Sequence, residues 1–198
     1  MKKLLIQPLL GIAVVVVCIS CNNGSTTAES STGDSIKRTS EAPVPPDNNK
    51  DTNKMKSDVS DFVMKAAIGG MMEVELGKLA QNNGGSQEVK AYGKMLETDH
   101  AEANSTLQTI ATEEHITMPA AMDEEHSMHV KDMSAKKGAE FDKAFIPMMI
   151  EDHEKDITMF KKAGESNPDK EVKDFATKAL PTLQKHLDKA KMLKDKMK

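Results

Sequence analysis

Apolar residues recur with a period near 3.6 in four long stretches of this chain, the pattern of helices with one dry face. The first predicted helix runs from about Asp58 to Gln81, with Val59, Phe62, Ala66, Gly69, Gly70, Leu76 and Ala80 on its stripe. Asn82-Asn83-Gly84-Gly85 stops it, and Ser86 caps a second helix over about Gln87–Glu114. That helix turns Val89, Tyr92, Gly93, Leu96, Ala103, Leu107, Ile110 and Ala111 inward. A third, about Ala139–Ala163, shows Phe141, Phe145, Met149, Met159 and Phe160, and contains Pro147, which should kink it. After the Asn167–Pro168 turn a fourth runs over about Asp169–Met197, with Val172, Phe175, Ala176, Ala179, Leu183, Leu187, Ala190 and Leu193 inside and Pro181 opposite. The link TMPAAMDEEHSMHVKDMSAKKG predicts one short helix. Short turns within each pair imply antiparallel hairpins. The expected fold is all-α: an up-down four-helix bundle with a short extra helix between helices two and three.

Each long helix also carries an acid or a histidine on its dry side: Glu73, His100, Asp152 with His153, and His186. Burying such groups is costly unless something pairs with them. Counted from the two turns, Glu73 sits about 12 Å deep and His100 about 21 Å, His153 about 17 Å and His186 about 27 Å. This predicts two levels. Glu73 with Asp152–His153 forms one, His100 with His186 the other, and Glu97 is the residue placed to join them. Glu97-Thr98-Asp99-His100 is a Glu-x-x-His motif, which ferritin-like carboxylate proteins use on two helices, with a single Glu from each of the other two. Glu73 and Asp152 suit the single carboxylates, but Leu183 stands three residues before His186 where a second Glu is needed. A di-iron oxidase set is therefore incomplete. A histidine-richer site for one divalent ion (iron, manganese or zinc) fits better. The candidate ligands are Glu73, Glu97, Asp99, His100, Asp152, His153 and His186. The competing reading, an acid–histidine network that fixes helix register, stays open. A lone histidine on an apolar stripe is more often a hydrogen-bonded structural residue than a ligand. In the link, Met118, Met122, His126, Met128, His129 and Met133 suit copper(I), against the plainer reading that methionine fills gaps in the core.

The ends add location. Lys2–Lys3, an apolar run from Leu4 to Ile19, and Ser20 before Cys21 make residues 1–20 a secretory signal, too short to span a membrane comfortably. Cys18-Ile19-Ser20-Cys21 resembles a bacterial lipoprotein signal, with Cys21 as the lipidated residue and the membrane reached through that lipid. Both cysteines lie here, so the domain holds no disulfide. Asn22–Asn23, with no Asp after the cysteine, favours the outer membrane, facing the periplasm. Residues 21–57 are polar and Pro-interrupted and read as a disordered tether reaching roughly 30–35 Å, leaving residues 58–198 as the bundle. The formal charge is −4, and loss of Lys2 and Lys3 makes it more negative, which disfavours nucleic-acid binding. No phosphate loop or nucleophile motif is present. No protein partner is indicated, and a homo-oligomer is compatible with the sequence.

From Asp61 onward, the segments FVMKAAIGGMMEVELGKLA, VKAYGKMLETDH, FDKAFIPMMIEDHEK and VKDFATKALPTLQKHL resemble domain-of-unknown-function family 4142. The resemblance implies a ferritin-like helical bundle in an exported protein and supplies no reaction. The family's recurring polar positions match Glu73, Asp99, His100, Asp152, His153 and His186. Together these readings point to a lipid-anchored periplasmic bundle with a candidate metal site. Its competitors are a non-catalytic structural or partner-binding envelope module and a metal-dependent oxidase or peroxide-handling enzyme. The missing carboxylate before His186 counts against the enzyme.

Overall fold

A computed structural model describes residues 48–197. The signal segment, Cys21 and residues 22–47 of the expected tether lie outside the described residues. Five helices follow one another: α1 Asn48–Asn83, α2 Gln87–Glu113, α3 Glu124–Ser134, α4 Gly138–Ser166 and α5 Lys170–Lys196. No described helix is long and apolar enough to cross a membrane. The first helix begins ten residues before the expected Asp58. Residues 51–58 are all exposed, so no apolar stripe marks them, and an ion pair such as Lys54–Asp58 at 2.6 Å supports this polar extension.

Capping residues set the other starts. The hydroxyl of Ser86 accepts the Val89 N–H, and the carboxylates of Asp123 and Asp169 accept those of His126 and Val172. The α1–α2 and α4–α5 turns are tight, so each pair forms an antiparallel hairpin. Gly84 bridges to Gly138, so α4 starts beside the α1–α2 turn. The Asp142 carboxylate clamps this junction, accepting the Gly85 and Ser86 N–H groups at 2.8 and 3.0 Å. Lys196 at the end of α5 lies 3.9 Å from Glu88 at the start of α2. Hence α1 and α5 run toward this end, while α2 and α4 run away from it. The strict up-down alternation expected from the sequence stops at the link, which crosses the length of the bundle. Its Ile116 and Met118 pack on the far apolar cluster, and its Met122, Val130 and Met133 on the near one.

Those two clusters are the core. The far one gathers Phe62, Phe160 and Phe175 edge to face, with Val63, Leu107 and Val172. The near one stacks Phe141 on Phe145 beside Tyr92, Leu76, Leu96 and Leu193. Glu73, His100, His153 and His186 lie along the helices between these layers, all buried.

Close approach of α1 and α2 brings Glu73 and His100 of that polar belt together. A Cβ on Gly93 would lie 2.5 Å from the Ala80 Cβ and 2.7 Å from the Gly77 carbonyl oxygen, where only hydrogen fits. Gly93→Ala is therefore expected to lower stability by about 1–3 kcal/mol through forced separation of the helices. Gly69→Ala is the control. Its Cβ would meet nothing within 4 Å, and the change should stabilise by up to about 1 kcal/mol through helix propensity. Urea denaturation of both variants checks this, and equal midpoints would sink the close-approach argument.

Candidate metal centre

The four inward polar residues form one cluster, not two levels. His100 Nδ1 lies 2.8 Å from Glu73 Oε2, and His153 Nε2 lies 3.4 Å from Glu73 Oε1. The three imidazole centroids are 5.2, 5.3 and 5.6 Å apart. Two effects close the expected gap. α1 and α4 continue to Asn83 and Ser166, beyond the expected Gln81 and Ala163, so the depth offset within each hairpin falls to about 4.5 Å. Side chains also lean toward the N-terminus of their own helix. Glu73 and His153 therefore lean away from their turns, while His100 and His186 lean toward theirs.

Each histidine is held from behind by an acceptor. His153 Nδ1 donates to the Met149 carbonyl oxygen at 2.9 Å, which leaves a lone pair on Nε2. That nitrogen faces His186 Nδ1 at 3.2 Å, and His186 Nε2 faces Asp99 Oδ2 at 2.9 Å. The chain from Met149 through both rings to Asp99 thus has three contacts. Two neutral imidazoles supply only two hydrogens, and both ends are acceptors. One contact must therefore set two lone pairs against each other unless a further proton or a cation sits there. A proton is disfavoured, because burial lowers the His186 pKa to about 4 and holds that of His153 well below its ordinary value. Burial likewise lowers His100 to about 4. With its Nδ1 on Glu73, His100 turns Nε2 to a place where no described residue bonds to it.

The spacing suits a metal ion. A tetrahedron of nitrogen and oxygen ligands with bonds of about 2.05 Å has edges near 3.3 Å, close to the 3.2 and 3.4 Å separations at His153 Nε2. One ring nitrogen each from His100, His153 and His186 fits within a 4.8 Å span, as does one ligand atom each from Glu73, Asp152 and His153. Glu73 Oε1 and Asp152 Oδ2 are buried without a hydrogen-bond partner among the described residues. Burial, then the charge of Asp152, pushes the Glu73 carboxyl well above its usual range. Burial also raises Asp152. A dication would reverse both shifts.

Not every candidate joins. Glu97 is turned away, its carboxylate accepting from Gln81 Nε2 at 2.8 Å and Lys94 Nζ at 3.0 Å, so it does not bridge His100 to Glu73. Asp99 stands behind His186 as its orienting acceptor. The link residues proposed for copper do not converge. Met118 packs on the far cluster, Met122 and Met133 on the near one, Met128 and His129 are exposed, and His126 is bonded to Asp123, the cap of α3. Two residues were missed. Asp156 lies one turn beyond Asp152, and burial together with the Glu73 and Asp152 charges pushes its carboxyl well up. Its i+4 spacing from Asp152 was the available signal. Tyr92, read as core, brings a buried hydroxyl without a partner among the described residues, kept protonated by burial and by the Glu73 charge.

The molecule is thus a helical bundle with a buried acid–histidine centre held between two apolar layers. The chain belongs to the family described as Domain of unknown function (DUF4142), whose model matches residues 44–193. No curated protein matches it. No solved structure matches it either.

The pKa shifts set a pH response for the metal-free protein. Glu73, Asp152 and Asp156 hold protons more tightly folded than unfolded, so their contribution is lost as pH rises from about 4–4.5 toward the raised folded values. The three histidines act oppositely, losing stability as pH falls below 6.5. Glu73→Gln is therefore expected to gain stability relative to wild type as pH rises from about 5 to about 8. Urea titrations after chelator treatment measure this difference, and a difference independent of pH would show that Glu73 is not held protonated by the fold.

Proposed function

We propose that this protein is a lipid-anchored, periplasm-facing helical bundle that binds a divalent cation in its core. The cation reading rests on one observation: three contacts in the Met149–His153–His186–Asp99 chain share only two hydrogens. A cation at His153 Nε2 and His186 Nδ1 relieves that conflict and takes up the buried lone pairs of His100 and Glu73. Three imidazoles and a carboxylate suit zinc or iron(II) and, less well, manganese(II). The long crossover between two hairpins supports a ferritin-like arrangement. The carboxylate set for oxidase chemistry is still lacking, because Leu183 is a buried core residue at the position one turn before His186. The reading is therefore a cation-binding envelope protein rather than an oxidase.

Calorimetric titration of the full-length, detergent-solubilised and chelator-treated protein with zinc and, anaerobically, iron(II) tests this. One tightly held ion per chain is expected. Asp99→Ala should weaken it by about 10–100-fold, and His100→Ala or His186→Ala by at least as much. Affinity should rise with pH, because the ion displaces the proton that burial holds on Glu73. If no ion is retained and the histidine variants leave stability unchanged, the cation reading fails. Stability loss without ion binding would favour the register-fixing network.

The anchor has its own test. Cys21→Ser is expected to move the protein from the outer-membrane fraction to the soluble periplasmic fraction and to abolish incorporation of labelled palmitate. Retention of the label by the variant would refute lipidation at Cys21.

A further inference from the structure

A buried cation site needs a way in, and here the bundle axis is closed on both sides by the apolar clusters. A cavity of about 630 Å³ opens beside the centre, between α1, α2, α4 and α5. Glu73, His100 and His186 form part of its wall. Glu73 is 1 % exposed and His100 6 %. Both line the cavity, and both keep an atom, Oε1 and Nε2 respectively, without a hydrogen-bond partner among the described residues. The His100 atom is an acceptor only, and so is the Glu73 carboxylate once its proton is displaced, so the pair invites a cation, not an anion. Asp156 also lines the cavity, one turn of α4 beyond Asp152; its charge acts on His100, and the Glu73 charge acts on it. Exposed Glu102 and Glu171 stand at the wall farther out. In all, six acidic side chains and two lysines line this space; even with Glu73 and Asp156 holding protons the remaining four acids outnumber the lysines, a balance that concentrates cations and repels anions.

From this arrangement we infer that the cavity is the entry path by which a hydrated divalent cation reaches the histidines, with the Asp156 carboxylate as the relay on the way. The inference rests on the cation reading above and adds a route to it. A residue on the route changes how fast an ion arrives and leaves, while a ligand changes how tightly it is held. A plug placed in the path must slow binding and release equally and leave the equilibrium constant intact.

Stopped-flow mixing of cobalt(II) with the chelator-treated, detergent-solubilised full-length protein, followed by the visible absorption of the bound ion, separates these cases. Ala179 lines the cavity and is partly buried. Ala179→Phe is expected to slow association and dissociation alike by about tenfold or more, with Kd changed by less than about threefold. Asp156→Asn and the double variant Glu102→Gln/Glu171→Gln should each slow association, within the roughly 10–1,000-fold range of electrostatic steering, and flatten its salt dependence. If cobalt binds but the association rate is unchanged in Asp156→Asn and in the double variant, the route is wrong, whether or not Ala179→Phe folds. If Asp156→Asn abolishes affinity at unchanged association rate, Asp156 is a ligand and the relay role is overturned. If wild type binds no cobalt at all, the cation reading falls along with the route.

Discussion

The structure turns on a shortage of hydrogen. Met149 and Asp99 hold His153 and His186 from opposite ends, and both are acceptors. Two neutral rings cannot satisfy three contacts, so one contact stays unmet, and the buried ring nitrogens on either side of the 3.2 Å gap could hold a cation. In water such a conflict costs little, because either ring takes up a proton. Here the centre lies between two apolar layers, and desolvation holds the imidazoles neutral. The same desolvation raises Glu73, Asp152 and Asp156. The core that makes the bundle stable is therefore also what leaves this acid–histidine group neutral, buried and able to hold a cation.

The rest of the architecture keeps that conflict in place. Gly77 and Gly93 let α1 and α2 approach until Glu73 meets His100. Asp142 ties the start of α4 to the α1–α2 turn through two backbone N–H groups, which sets the depth of His153 against Glu73. The crossover link carries the chain back along the bundle, so that all adjacent long helices are antiparallel. Leaning of each side chain toward its own helix N-terminus then converges four residues that the backbone leaves offset by about a turn.

Much of the fold was legible in the chain. Periodicity located the four long helices, and Ser86, Asn167–Pro168 and the Gly84–Gly85 stop marked their ends within a few residues. The early start of α1 was not legible, because residues 51–58 bury nothing and so carry no apolar signal. Glu73, His100, His153 and His186 were legible as a set, since an acid or imidazole on a dry stripe is conspicuous. Their mutual depth was not. A two- or three-residue error at a helix end shifts a depth by about 3–4.5 Å, enough to split one cluster into two levels.

By itself, the sequence determined most of the buried apolar positions and on which helix each polar one sits, because burial follows the 3.6-residue period along a single element. Only the tertiary structure decided that Glu97 turns to Gln81 and Lys94, that Asp99 backs His186, and that Asp156 faces the same space as His100. Those outcomes depend on the register and separation of neighbouring helices, set by the Gly77–Gly93 contact and the Asp142 clamp. They also depend on a main-chain carbonyl, that of Met149, which every residue possesses and no sequence pattern singles out.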